Sequence, residues 1–301
     1  MDLSKTEHYN TVKPNFWGNE KEVLKFYDQF QNAKSLIRWL KSVKKMEPKI
    51  IIKKSKNTNV IAVIPTMRRE NIRHISNKYK FTIVFAVNSG KSGHFNYAHS
   101  VNCAIKEALN YNPKWIVVAN DDIKDVGDTE ALYKILANIN NRDFDVVFPH
   151  YLSRYPYSHN FKLVKYRFYT GLFFKLFRKK SYLTYKIHKK YGVKIIPRLD
   201  SFREKIVFRT VKRFINVGDF SIISTEFIKK RNNKLFDENF LNADEDIEVS
   251  ILFNSSRIKY IDYQMDCGKG GNSLNHNSGR FLRDTAGEIY LYYRYLKHSY
   301  K

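Results

Sequence analysis

Cysteine is nearly absent from this chain of 301 residues, which has only Cys103 and Cys267. Two thiols are too few for a disulfide framework, and their separation is not the spacing of a zinc site, so a reducing, intracellular setting is expected. Long apolar runs are missing too: no stretch approaches the roughly 18 residues of a membrane span, and MDLSKTEHYN lacks the apolar core of a signal peptide. Any membrane association is then peripheral. Acidic residues are in short supply, 29 against 54 basic ones, a formal net charge of +25. Such a surface attracts polyanions: nucleic acid, anionic lipid headgroups or phosphorylated substrates. What is present in quantity is core-forming material. Hydrophobic residues make up 43% and aromatics 15% of the chain, which excludes wholesale disorder.

From Val60 onward short apolar runs alternate with helix-like stretches. VIAVIP ends in Pro65 and Thr66, FTIVFAV over 81–87 ends in Asn88, and WIVVA over 115–119 ends in Asn120, Asp121 and Asp122. Between them the spacing predicts helices over 68–80 and 96–110, the second with a stripe of Ala98, Val101, Ile105 and Ala108. A helix over 128–140, a strand over 145–149, a strand over 220–224, a helix opened by Asp244, Glu245 and Asp246, and a strand over 257–262 complete the series. The alternation predicts an α/β fold with a mostly parallel sheet and helices on both faces.

Three regions stand outside it. Residues 1–58 read as an N-terminal basic helical extension, with a helix over 20–45 and a lysine-rich linker over 41–56. Residues 154–213 contain eighteen Lys or Arg against Asp200 and Glu204, interleaved with aromatics. This basic insertion suits an anionic bilayer surface, or single-stranded nucleic acid, or an inward packing of its aromatics with lysines left in water. Residues 281–301 read as a C-terminal amphipathic helix, leaving 59–280 as the main domain.

Two carboxylates at a strand terminus repel each other, and a divalent cation with a nucleotide diphosphate relieves that repulsion. A polar turn capping the next helix is the plainer reading of Asn120-Asp121-Asp122. Glu245 and Asp246 likewise read either as acids at the positive end of a helix dipole or as a catalytic pair. His276 lies in a polar loop, GKGGNSLNHNSGR.

With these features in one order, the chain resembles the family 2 glycosyltransferases of the GT-A (Rossmann-like) fold over about residues 60–280. VIPTMRRE is similar to the family's opening strand and turn. GHFNYAHSVNCAIKEA looks like its segment with a recurring Asn, here Asn102. NDD is similar to its D-x-D motif with Asn in first place, NVGDFSII, FDENF and DEDIEVS resemble its later blocks, and His276 matches its C-terminal histidine. The resemblance implies Pro65, Thr66, Arg69, Asn88, Asn120 and Asp121 around a nucleotide sugar, with Asp121 meeting the ribose. It also implies Asp122 and His276 on Mn²⁺ or Mg²⁺, and Asp246 as base with Glu245 beside it. The sequence departs from the family at Met67-Arg68, where an aromatic-Asn pair is usual, and at Asn88, where an aspartate often reads the base.

The chemistry is consistent with that match. Sugar transfer from a nucleoside diphosphate leaves negative charge on the phosphates and needs one base for the acceptor hydroxyl; a single displacement inverts the anomeric centre. The expectation is a metal-dependent inverting glycosyltransferase using a nucleotide-diphosphate sugar and a glycan or lipid-linked acceptor, peripheral on the inner, cytoplasmic membrane face. The competing expectation from charge alone is a nucleic-acid-binding protein, although carboxylates at strand ends repel phosphates. A sugar nucleotidyltransferase fits less well, because VIPTMRRE has no glycine for a phosphate loop.

Overall fold

The computed structural model describes residues 25–27, 29–30, 33–88, 95–151, 158–162, 211–215, 219–241 and 244–268, with isolated helical positions at 286, 287, 290, 291 and 294. The chain divides into two compact units. The larger, residues 45–159 and 214–275, carries the main sheet; the smaller takes 1–44, 160–213 and 276–301. The sheet-bearing unit thus starts inside the stretch read as the N-terminal extension.

Seven strands form the main sheet: β1 (Lys49–Lys53), β2 (Val60–Thr66), β3 (Thr82–Val87), β4 (Trp115–Ala119), β5 (Val146–Tyr151), β8 (Phe220–Ser224) and β9 (Ile258–Met265), in the order β1-β3-β2-β4-β8-β5-β9. β2 pairs in parallel with β3 and β4, and β5 with β9, whereas β1 and β8 run antiparallel to their neighbours. All strands but β1 and β8 therefore point one way, which gives the mostly parallel mixed sheet expected. β6 (Ser158–Lys162) and β7 (Val211–Ile215) make a separate two-stranded sheet, so both flanks of the basic insertion return to one place.

Each central strand alternates between two cores, as the period of two requires. Val60, Ala62 and Ile64 of β2 join one cluster; Ile61 and Val63 join the other. α2 (Asn71–Ser76) through Ile75 and α4 (Thr129–Ala137) through Leu132 and Leu136 cover the first face. α3 (Tyr97–Leu109) through Val101 and Ile105, α5 (Thr225–Lys230) through Phe227 and α6 (Glu245–Leu252) through Val249 cover the second. The α3 stripe read from sequence, Ala98, Val101, Ile105 and Ala108, is wholly buried. Asp128 caps α4, its carboxylate accepting from Glu130 N–H at 3.0 Å and Ala131 N–H at 3.2 Å.

The expected linker over 41–56 is corrected in part: KIIIK within it is edge strand β1, registered antiparallel along β3. The helix expected over 20–45 is not continuous among the described residues. α1 spans Ala33–Ser42, and Gln29 and Phe30 ahead of it are non-helical. Within the smaller unit, the Phe26 ring meets Phe30 at 5.1 Å and Trp39 at 5.0 Å, edge to face, and Leu36, Ile37 and Leu40 are buried. The helix over 68–80 shortens to α2, and β9 runs past the expected end at 262 to Met265. Most of 154–213 and 281–301, and all of the GKGGNSLNHNSGR segment bar its opening Gly268, lie outside the described residues.

Candidate active site

Because β2, β3 and β4 are parallel, Thr66, Asn88 and Asn120 come to one edge of the sheet. The chain steps from β2 out to β3 and back across to β4, with α2 and α3 on opposite faces, which is the reversal that opens a ligand crevice at strand ends. Asn88 N–H donates to the Thr66 carbonyl at 2.9 Å. Thr66 Oγ1 accepts from Arg68 N–H at 3.0 Å and donates to Asp121 Oδ2 at 2.6 Å. Burial pushes the Asp121 carboxyl above its ordinary pKa; the Thr66 bond pulls it back, Asp122 beside it pushes it up again and the Arg68 charge pulls it down. Arg68 is thus the cation acting on this carboxylate, while Arg69 is exposed just ahead of α2.

Asn88 is 1% exposed. Its Nδ2 donates to Ser100 Oγ at 2.9 Å, but its Oδ1 is a buried acceptor with no partner. Native folds seldom leave such an acceptor unmet without a reason, and a ligand group is one.

The antiparallel β8 brings Asp219 beside Asn120. Asn120 N–H donates to the Asp219 carbonyl at 2.9 Å and Asn120 Nδ2 to its Oδ1 at 2.9 Å. Tyr97, at the first turn of α3, has its hydroxyl pKa raised well above ordinary by burial first, then by the charges of Glu245, Asp219, Asp246 and Asp122. Four carboxylates from three separate stretches of sequence therefore act on one phenol. Asp122 and the Glu245–Asp246 pair, singled out independently in the sequence, share this neighbourhood.

Glu245 and Asp246 lie in the first turn of α6, where the helix-dipole reading also puts them, while Asp244 at the cap position has φ of 66° and makes no side-chain capping bond. A left-handed non-glycine residue held beside a site is the kind of strain that functional positions retain. Glu245 is buried and Asp246 half-buried, and Asp246 Oδ1 accepts from Ile247 N–H at 2.9 Å.

Two asparagines of the α3 segment hold the FDENF stretch in place. Asn102 Oδ1 accepts from Leu235 N–H at 2.9 Å and Phe236 N–H at 3.2 Å, and its Nδ2 donates to the Phe236 carbonyl at 2.8 Å. Asn96 Nδ2 donates to the Glu238 carbonyl at 3.0 Å and the Phe240 carbonyl at 2.7 Å. Glu238 lies 2.9 Å from His99 Nδ1; its pKa falls to about 2 because hydrogen bonds from His99, Lys234 and Asn102 outweigh burial. His99 rises to about 10, through its contact with Cys103 first and then Glu238.

Hard oxygen donors suit Mg²⁺ or Mn²⁺. Among the described residues no three of the edge carboxylates lie close enough to form a cage by themselves. Of the two residues expected on the cation, Asp122 follows Asp121 at the end of β4 and His276 lies outside the described residues. Pro65 and Thr66 are buried at the end of β2. Asp219 and Tyr97 were not singled out from sequence. Asp219 immediately precedes the FSIIS run, so an antiparallel placement of β8 would have pointed to it.

No family model matches the sequence, and no curated protein matches it. Among solved structures, a crystal structure of S. aureus TarS 1–349 is similar at a TM-score of 0.36 and 14% identity. That match covers 69% of this chain and 60% of the other.

Proposed function

We propose that this chain is a metal-dependent, inverting glycosyltransferase that moves a sugar from a nucleoside diphosphate to a glycan or lipid-linked hydroxyl acceptor. The observation that carries the reading is the Thr66–Asp121 pair beside the unmet Asn88 acceptor at the strand ends, with Asn120 bonded to Asp219; the charges of Asp122, Asp219, Glu245 and Asp246, all acting to raise buried Tyr97, support it. Asn88 Oδ1 receives an N–H of the base and Asp121 the ribose hydroxyls. Asp122 binds a divalent cation, which when present neutralises charge developing on the leaving diphosphate. Asp246 takes the proton of the attacking hydroxyl, with buried Glu245 adding to the field that keeps that proton transfer favourable. Asn120 holds Asp219 and β8 against β4, so the edge is fixed before substrate arrives.

The acceptor and location extend this reading. The excess of basic residues in 154–213 and the aromatics among them favour an anionic membrane surface on the cytoplasmic side. Among the described residues no helix is long and apolar enough to cross a membrane. Nucleic acid has the net charge in its favour but gives no reason for an edge lined by carboxylates, which repel phosphates unless a metal intervenes.

The direct test is a panel of nucleotide sugars with Mn²⁺ and Mg²⁺, read by mass spectrometry for hydrolysis or transfer. Cation-dependent turnover of at least one donor, lost in Asp122→Ala, is expected; full activity in that variant removes Asp122 from the cation. Flotation with anionic but not neutral vesicles, weakened when lysines in 154–213 are neutralised, is expected for the membrane surface.

A further inference from the structure

His99 and Cys103 stand one turn apart on α3, and Glu47 reaches them from just ahead of β1. His99 Nε2 lies 3.2 Å from Glu47 Oε1 and 3.6 Å from Cys103 Sγ, and the ligand atoms of the three residues fall within 4.8 Å of one another. A tetrahedral Zn²⁺, with bonds of about 2.05 Å to nitrogen, about 2.3 Å to sulfur and about 2.0 Å to oxygen, spans about 3.6 Å from N to S and about 3.3 Å from N to O. The two separations measured from Nε2 match those edges. The other ring nitrogen, Nδ1, faces Glu238 Oε2 at 2.9 Å, the carboxylate contact that fixes tautomer and orientation in metal-binding histidines. Glu238 is itself held at 3.0 Å by Asn102 Nδ2 and at 3.0 Å by Lys234 Nζ.

We propose that Glu47, His99 and Cys103 form a binding site for a thiophilic divalent ion of the Zn²⁺ class, separate from the carboxylate edge, with Glu238 orienting the histidine. Thiolate and carboxylate balance the charge of the ion, and the exposed flank of Glu47 leaves a fourth position to water. The ligating forms are the thiolate and the imidazole with Nε2 unprotonated, so the affinity rises with pH. The mixed N, S and O donors select against Mg²⁺ and Mn²⁺, so the two sites do not compete for one metal. The ion would pin the segment ahead of β1 to α3, whose first turn carries Tyr97 and whose Asn96 and Asn102 hold residues 235–240.

The test is titration of the metal-free chain with Co²⁺ at mildly alkaline pH, followed by displacement with Zn²⁺. A thiolate-to-cobalt charge-transfer band saturating at one equivalent is expected. It should disappear in Cys103→Ser and persist in Cys267→Ser and Asp122→Ala. Glu47→Gln, a near-isosteric change at an exposed position, should weaken Zn²⁺ at least about tenfold. Absence of the band, its survival in Cys103→Ser, or unchanged Zn²⁺ affinity in Glu47→Gln overturns the site and leaves His99 as a plain ion-pair partner of two glutamates. The Glu47→Gln result decides the matter even if Cys103→Ser does not fold. Because the readout is spectroscopic, failure here leaves the transferase reading untouched, and the reverse also holds.

Discussion

Thr66 Oγ1 donates a 2.6 Å hydrogen bond to Asp121 Oδ2, joining the ends of two adjacent strands across a sequence separation of 55. Burial holds the Asp121 carboxyl above its ordinary pKa in spite of that bond. A raised carboxyl pKa makes ionisation costly in the fold: stability falls as pH rises from the unfolded value through the folded one. Asp121→Asn should therefore raise the melting temperature at neutral pH, with the gain vanishing in acid. The same variant should bind nucleotide about ten- to a hundredfold more weakly, because a charged acceptor is lost. Thermal melts across pH, paired with nucleotide titration, check both; a lower melting temperature at neutral pH would contradict the assigned strain. Thr66→Val should push the Asp121 carboxyl up further, so that nucleotide binding is lost at a higher pH than in the parent chain.

Asp246→Asn separates base from cap. As a base, Asp246 contributes about 10²- to 10⁴-fold to transfer, so the variant should lose that in kcat while donor affinity and melting temperature hold. A loss of stability with proportionate loss of donor binding would instead mark a helix-terminal role.

The parallel core was legible because each strand is a continuous β-branched or aromatic run closed by a polar residue. Thr66, Asn88 and Asp121 announced the edge in the same way. β1 was hidden because KIIIK lies among lysines, and lysines at its ends are what an exposed edge strand carries against mispairing. Asp219 and Tyr97 were missed for a different reason. One enters through an antiparallel strand and the other through a helix start, and neither placement follows from local periodicity. The cluster of Glu47, His99, Cys103 and Glu238 spans a separation of 139 between His99 and Glu238 alone, and from the sequence Cys103 was weighed only against Cys267.

Asn88→Ala distinguishes a ligand-reading acceptor from a structural one. Its Oδ1 makes no bond in the fold, and its Nδ2 contributes two neutral bonds, a long one of 3.4 Å to the Ala86 carbonyl and one of 2.9 Å to Ser100 Oγ, which itself still donates to the Asn96 carbonyl. Denaturant unfolding should change by no more than about 1 kcal/mol. Nucleotide affinity should drop about tenfold, the worth of one hydrogen bond in a buried site. Equal nucleotide affinity would remove Asn88 from base recognition.

Asn102→Ala should behave in the opposite way, costing stability first. The change strands the N–H groups of Leu235 and Phe236 and the Phe236 carbonyl, all of which now end on one amide. Each buried group left unpaired costs about 1–3 kcal/mol, so a loss of about 2–4 kcal/mol is expected after some relaxation. Asn102→Asp should not rescue it: the oxygen replacing Nδ2 would face the Phe236 carbonyl and Glu238 Oε1, turning two attractions into repulsions. Denaturant midpoints at constant m-value check the ranking of parent over both variants. If Asn102→Asp matched the parent chain, the amide would not be the clamp that ties α3 to the FDENF stretch.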